Sequence, residues 1–364
     1  MHIVIDARNR RSSTGRYTDR LLEHLQLIDK NNRYTVLLAL GDNWRGSATN
    51  FTPLPCPYKQ FSFNPLEQLG FAWQLYRLRP NLVHFTMTQQ PLLYFGKIVT
   101  TTHDLTMLRF TRAGRLSGVV HAIRMKLYEF MFWWSHKKSN AIIVPTKFVA
   151  KDLADLEPFT KAKITVTYES SEPPSRDKSV QPKRVIKPFI VHVGSPFPHK
   201  NIDRLVEAFE IIHATNSSLR LVLVGKREFY FDELMEKIKS SPARDNIIVT
   251  GFVSSGELKW LYENAEAYIL PSLSEGFGLP GLEAMAHECP LVSSDATCLP
   301  EVYGDAAHYF NPLNISDITT KITEVLGDEK LQKDLIKRGN ERLKNYSWDR
   351  MAKQTLDVYN KALH

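Results

Sequence analysis

The chain has 364 residues, 43% hydrophobic and 24% charged with a net charge of +8, which fits a soluble globular protein of two ordinary domains. No apolar run approaches the eighteen or so residues of a membrane span, and MHIVIDARNR reads as an opening strand, not as a basic leader with an apolar core. Three cysteines, Cys56, Cys289 and Cys298, are odd in number and lack metal-ligand spacing, so a reducing cytoplasm is expected and cysteine chemistry is not.

HIVIDA is the first predicted strand. The polar loop RNRRSSTGRYT leads from it into a helix, TDRLLEHLQLI, and the strand-like runs YTVLLAL, LVHF, KIVTTTHD and NAIIVPT follow with helical stretches between several of them. Short apolar strands alternating with helices imply an α/β fold with a parallel sheet covered on both faces. KIVTTTHD ends in His103-Asp104. A lone histidine is most often a satisfied polar residue, but at the carboxyl end of a central parallel strand it faces the crevice where such sheets bind ligands. His103 is therefore a candidate functional residue.

Charge is unevenly spread. Residues 1–180 carry 25 Lys/Arg against 14 Asp/Glu, whereas residues 181–364 carry 22 against 25. A basic first half points to an anionic partner. Within it, residues 103–151 hold nine Lys/Arg and two Asp/Glu around Phe130, Met131, Phe132, Trp133 and Trp134. Two arrangements fit this stretch: a basic aromatic helix on an anionic membrane surface, or aromatics packed on the sheet with the charges in water. Nucleic acid is not expected as a partner, because no recognition motif accompanies the charge.

Between Glu169 and Lys187 the chain reads ESSEPPSRDKSVQPKRVIK, without apolar period, and is the predicted interdomain linker. Alternation then restarts: FIVHVG, the helix NIDRLVEAFEIIHA, LRLVLVG, the helix FDELMEKIKS, NIIVTG, the helix SGELKWLYENA and AYILPS. In HVGSPFPHKN, Lys200 stands just before a helix, where its charge is mildly unfavourable unless it serves an anion such as a diphosphate. Residues 270–290, LPSLSEGFGLPGLEAMAHECP, place a glycine-bearing loop between a strand and a helix opened by Pro280. Free N–H groups and the helix dipole there suit a phosphate. Glu275 on the loop and Glu283, expected in the first helical turn, bracket that spot and can accept bonds from hydroxyls. Either carboxylate alone would read as structural. The last segment, YSWDRMAKQTLDVYNKAL, is an amphipathic helix.

The 270–290 string resembles the E-x7-E signature of family four of the retaining glycosyltransferases, P-S-x-x-E-G-F-G-L-P-x-L-E-A-M-A. The resemblance is strongest from His192 to Asn311. It implies the GT-B architecture: two facing Rossmann-like domains with a deep cleft between them. Residues 1–175 would form the acceptor-side domain and 185–345 the nucleotide-sugar domain, with helix 346–364 crossing back to the first. By the same resemblance Lys200 clamps the donor diphosphate, near Ser195, which stands where the family often has an arginine. The subgroup pattern G-x-x-x-P-R-K-N fits better, with His199 in place of its arginine. Backbone around Lys226 and Val253 would contact the nucleobase, and Glu283 the ribose hydroxyls. Glu275 would contact the donor sugar, and the backbone of Phe277, Gly278 and Leu279 its phosphate. In the first domain, Ser13-Thr14-Gly15-Arg16-Tyr17 resembles G-I-G-R-Y, so Gly15 would admit the donor phosphate, while His103 would shape the pocket near the reacting sugar.

No D-x-D pair occurs in the sequence, so no metal is expected; Lys200 and helix N-termini would stabilise the leaving diphosphate. Unlike a retaining hydrolase, the family resembled lets the acceptor attack from the leaving-group face, which makes Glu275 a positioning residue. The subgroup pattern leans toward mannosyltransferases, with GDP-mannose as first expected donor, UDP-glucose as second, and no other cofactor. The acceptor would be a saccharide or a polyprenyl- or other lipid-linked sugar, handled in the cytoplasm or at the inner face of the membrane. Two alternatives remain open at this point. A GT-B nucleotide-sugar epimerase would accumulate epimerised donor without acceptor, and a non-catalytic nucleotide-sugar binding protein would release no nucleoside diphosphate.

Overall fold

The computed structural model describes every residue except 13, 61, 111–117, 173–176, 229 and 364. It forms two compact units, Met1–Glu169 together with Ser347–His364, and Ser170–Tyr346.

Seven strands make the sheet of the first unit: β1 (His2–Asp6), β2 (Arg33–Ala39), β3 (Phe51–Cys56), β4 (Leu82–Phe85), β5 (Ile98–Thr101), β6 (Ala141–Val144) and β7 (Ile164–Val166). Their order is β3-β2-β1-β4-β5-β6-β7 and every neighbouring pair is parallel. The crossovers carry α1 (Gly15–Ile28), α2 (Pro65–Leu78), α3 (Thr106–Arg109), α4 (Gly118–Lys138) and α5 (Lys147–Leu156). Parallel strands require such crossovers, and the helices cover both faces. That is why Ile3, Val4, Ile5, Leu82, Val83, Ile98 and Val99 are buried without alternation.

Two differences from the sequence reading have local causes. β3 reads FTPLPC, and its prolines argue against a strand; it is an edge strand, where Pro53 and Pro55 need give up no ladder bond. Helix α1 begins at Gly15, three residues before the predicted start. A Cβ at residue 15 would lie 2.0 Å from the Arg10 carbonyl oxygen, so only glycine lets the loop after β1 fold back on the helix start.

The second unit has β8 (Phe189–Val193), β9 (Arg220–Val224), β10 (Ile247–Gly251), β11 (Ala267–Leu270), β12 (Leu291–Ser294) and β13 (His308–Phe310) in the order β10-β9-β8-β11-β12-β13. All pairs are again parallel. Its helices are α6 (Ile202–Thr215), α7 (Phe231–Ser240), α8 (Ser255–Asn264), α9 (Leu279–Ala286), α10 (Leu299–Tyr303), α11 (Ile315–Gly327) and α12 (Glu329–Leu343). One core joins Ile190, Leu205, Phe209, Leu221, Ile269, Val292 and Ile322. Part of the predicted linker is built into this unit: the Val180 N–H donates to Gly256 O at 3.1 Å and Ser179 Oγ to Glu263 Oε2 at 2.8 Å. Residues 173–176 of that linker lie outside the described residues.

The final helix, α13 (Trp348–Leu363), belongs to the first unit and packs on α1 and β5. Strand order reverses between β1 and β4, and again between β8 and β11. At such switch points, ligands bind in the crevice outside the carboxyl ends of the strands. Among the described residues, no helix is long and apolar enough to cross a membrane.

Candidate functional site

In the second unit the predicted residues follow successive strands at one edge of the sheet: Ser195 after β8, Lys226 after β9, Val253 after β10, and Glu275 after β11. Lys226 is exposed and Val253 half-buried. A short 3-10 turn, Pro198–Lys200, carries Lys200, and Asn201 next to it adopts the left-handed conformation (φ 57°) that turns the chain into α6. Asn201 Nδ2 donates to the carbonyls of Pro271 (3.0 Å) and Pro312 (2.8 Å), and the Leu273 N–H donates to His199 O at 2.7 Å. These bonds tie the loop after β8 to the loop after β11.

The tie brings two predicted residues together. Lys200 Nζ lies 2.7 Å from Glu275 Oε1, and Ser272 Oγ donates to the same oxygen at 2.6 Å. Both side chains are largely buried, at 17% and 12% exposure. Burial alone would push the Glu275 carboxyl up; the Lys200 charge, its hydrogen bond and Ser272 outweigh it and hold Glu275 below the usual carboxylate range. The backbone is pinned too: the Glu275 N–H donates to Thr297 Oγ1 at 3.2 Å and Cys298 Sγ to Glu275 O at 3.2 Å. Ser272, Asn201, Thr297 and Cys298 were missed by sequence reasoning. Two of them gave a signal, Asn201 as part of the K-N pair and Ser272 as the serine of the P-S-x-x-E pattern.

Helix α9 starts behind this pair. Gly278 occupies its N-cap at φ 87°, and a Cβ there would meet Tyr303 Oη at 2.3 Å, so both conformation and space demand glycine. Phe277 is buried, its ring edge-on to Tyr346 at 5.5 Å, so its side chain serves the core while its backbone passes the helix start. Leu279 is the first helical residue, and its N–H has no acceptor within the helix. Glu283 corrects the sequence reading. With Leu279 first, it falls in the second turn, not the first, because Gly278 still belongs to the cap. It is 8% exposed and accepts from Tyr262 Oη at 3.3 Å.

The first unit gathers its own cluster at the carboxyl edge of its sheet. His103 follows β5, Thr86 follows β4 and Glu169 follows β7. His103 Nε2 is 3.0 Å from Thr86 O, and Nδ1 is 3.3 Å from Glu169 Oε1. Tyr17 packs edge-on against the ring at 5.0 Å, with its hydroxyl 3.0 Å from Thr101 Oγ1. Asp104, two residues before α3, accepts at Oδ1 from the Thr106 N–H at 2.8 Å. Gly15 opens α1 under the Arg10 carbonyl, which gives it a structural reason of its own. Ser13, where the resembled motif has glycine, lies outside the described residues.

The aromatic part of the basic stretch lies in α4, while residues 111–117 of that stretch lie outside the described residues. Met131 and Phe132 are buried, and Trp134 Nε1 donates to Leu92 O at 3.0 Å. Phe130 and Trp133 face outward at 49% and 39% exposure, with Val119, Ile123 and Leu127 also exposed and Arg124, Lys126 and Lys137 among them.

Two doubly wound parallel sheets, each with polar and charged residues at its carboxyl edge, are the two Rossmann-like domains of the GT-B architecture. The model for "Glycosyl transferases group 1" matches residues 175–342, and that for "Glycosyltransferase Family 4" matches residues 14–169. The chain belongs to this glycosyltransferase family. The O-antigen chain mannosyltransferase RfbU of Salmonella typhimurium is 29% identical over 291 residues, 76% of this chain and 78% of that protein. The O-antigen chain mannosyltransferase B of Escherichia coli is 33% identical over 172 residues, which is 47% of this chain and 45% of that protein. The match to the latter thus spans less than half of its length. Among solved structures, sucrose-phosphate synthase from Thermosynechococcus elongatus matches with a TM-score of 0.78 at 16% identity, over 99% of this chain and 98% of that one. At that identity the likeness speaks to the fold.

Proposed function

We propose that the chain transfers a hexose, with retention of anomeric configuration and without a metal, from a nucleotide-sugar to a saccharide or lipid-linked acceptor. Mannose carried by GDP is the first donor and glucose carried by UDP the second. The likeness to two mannosyltransferases supports the choice of mannose. One observation carries the chemistry: Lys200 and Glu275 form a 2.7 Å pair next to the start of α9. A cation and helix-terminal N–H groups beside an ionised carboxylate suit a diphosphate joined to a hydroxyl-bearing sugar.

Lys200 and the α9 terminus stabilise charge on the departing diphosphate, and fixed groups of this kind act without reorganising during the reaction. Glu275 positions the sugar. Its Oε1 already accepts from Lys200 and Ser272, which suits holding hydroxyls better than attacking carbon. The acceptor hydroxyl oxygen bonds to the anomeric carbon on the face that the diphosphate leaves. The bond from that carbon to the phosphate oxygen breaks, and the acceptor proton passes to the departing phosphate. Glu283 takes the ribose hydroxyls, with Lys226 and Val253 near the base. Ser195 and the backbone of Phe277, Gly278 and Leu279 line the phosphates; in the first unit, Gly15 and His103 are the candidate residues.

The outward face of α4 supports a membrane-borne acceptor. An apolar stripe with Arg124, Lys126 and Lys137 beside it combines burial in lipid with attraction to anionic headgroups. On this reading the enzyme works at the inner face of a membrane. The test is a panel of nucleotide-sugars offered with saccharide and polyprenyl-linked acceptors. Expected are nucleoside diphosphate release that depends on acceptor and, by NMR, a product with the donor's anomeric configuration. An inverted product refutes retention. Epimerised donor without acceptor would mark an epimerase, and silence across the panel a binding protein.

A further inference from the structure

We propose that Glu169 fixes His103 as a doubly protonated imidazolium, making it a standing positive charge at the carboxyl edge of the first sheet. The inference rests on the reading of His103 as a pocket residue and adds Glu169 as its positioning residue.

His103 Nε2 faces the Thr86 carbonyl oxygen at 3.0 Å, and a carbonyl only accepts. Nδ1 faces Glu169 Oε1 at 3.3 Å, the long end of hydrogen-bond range, and an ionised carboxylate also only accepts. A neutral imidazole carries one N–H and satisfies one of these acceptors. The imidazolium satisfies both. Side-chain exposures are 12% for His103 and 6% for Glu169, and charges this buried persist when paired.

The surroundings hold the ring in that pose. Thr86 is anchored through its own hydroxyl, which donates to Asp6 O at 2.7 Å. Tyr17 on α1 braces the ring edge-on, and its hydroxyl is tied to Thr101. Other titratable groups facing His103 are few. Asp104 beside it is engaged with the Thr106 N–H and adds negative charge. His84 on β4 is fully buried between Tyr359 Oη (2.6 Å) and Thr101 Oγ1 (2.8 Å), and burial pushes it down to about 3, so it stays neutral. Burial by itself would push His103 down as well; the bond and charge of Glu169 outweigh it and raise His103 above its ordinary value.

This has a chemical consequence. An imidazolium has no lone pair, so His103 cannot take the acceptor's proton, and that proton is left for the departing phosphate. His103 acts instead as a preorganised charge, useful where negative charge develops.

The experiment reads the histidine directly in the intact protein. Nitrogen-15 NMR at pH 7, with His103 assigned by comparison with H103N, should show both ring nitrogens protonated and a titration midpoint above 6.5. In E169Q the midpoint should fall by about one pH unit or more. The basic limb of the kcat profile should move down with it, and E169D should restore part of both. A singly protonated ring at pH 7 in the unaltered protein overturns the proposal, whatever the folding of the variant. So does a titration that E169Q leaves in place. If the titration moves while the activity profile does not, the pairing stands, and the placement of His103 in the reaction pocket is what fails.

Discussion

Replacing Lys200 by Ala should separate phosphate binding from base binding. Lys200 has 17% of its side chain exposed and its ammonium 2.7 Å from Glu275, so it is a partly desolvated charge held in place. A hydrogen bond to a charged group contributes about 1.5–3 kcal/mol, so K200A should weaken nucleoside diphosphate binding about 10- to 150-fold. A second effect has the same sign. Without Lys200, Glu275 keeps Ser272 but loses its counter-charge, and the uncovered carboxylate repels the diphosphate. Neither effect touches the free nucleoside, whose affinity should hardly change. E275Q runs the other way, since it releases Lys200 from its partner; nucleoside diphosphate should bind tighter while sugar transfer falls. Calorimetric titration of nucleoside and nucleoside diphosphate into both variants measures this. Equal losses for the two ligands in K200A, or weaker diphosphate binding in E275Q, would refute the assignment.

The two signature carboxylates should differ in kinetics: Glu283→Ala raises donor KM, because ribose binding is shared by ground and transition states, whereas Glu275→Ala mainly lowers kcat. Indistinguishable profiles would contradict these roles. Activity should survive EDTA; abolition by EDTA with rescue by a divalent cation counts against fixed-charge stabilisation. Co-sedimentation with anionic vesicles should be strong at low salt and fall as salt rises, since the attraction is screened over about 8 Å at physiological ionic strength. Phe130→Ser with Trp133→Ser should weaken it further, and absence of binding at low salt removes the membrane from the proposal. His84 predicts acid sensitivity. Its folded pKa is depressed to about 3 against about 6.5 unfolded, so the unfolded chain takes up a proton first as pH falls below 6.5. Stability should therefore be lost between 6.5 and 3, by about 2 kcal/mol at pH 5 for this residue alone. His84→Gln should remove that part of the slope in denaturant titrations at pH 7.5 and 5, and an unchanged slope would exclude the mechanism.

Much of the architecture was legible because buried parallel strands leave unbroken apolar runs. HIVID, LVHF and RLVLV could hardly be anything else. β3 escaped because its meaning depends on position in the sheet: prolines at 53 and 55 are tolerable only at an edge, and edge status is a tertiary fact. In the second unit, Glu275, Lys200 and the glycine loop stood out as residue types. Their mutual contact did not, since 75 residues separate Lys200 from Glu275 and their meeting depends on Asn201 and the His199 carbonyl. Thr297 is an ordinary loop residue until the fold places it on Glu275, and Ser272, a member of the P-S-x-x-E pattern, shows its bond to Glu275 only in the structure. The same holds for Glu169, read as the start of a linker and found beside His103.

Helix α13 joins the first unit although all of Ser170–Tyr346 is synthesised before it. Its Tyr359 reaches His84 in the middle of the first sheet, and Met351, Ala352 and Val358 are buried with it. Until α13 is made, the first unit lacks its cover along α1 and β5. Damage to the last helix would strike the amino-terminal half of the protein, and a shortened chain would retain a whole second unit beside an exposed apolar groove in the first. Proteolytic mapping of a chain ending at Tyr346 would show that asymmetry as early cuts confined to the first 169 residues.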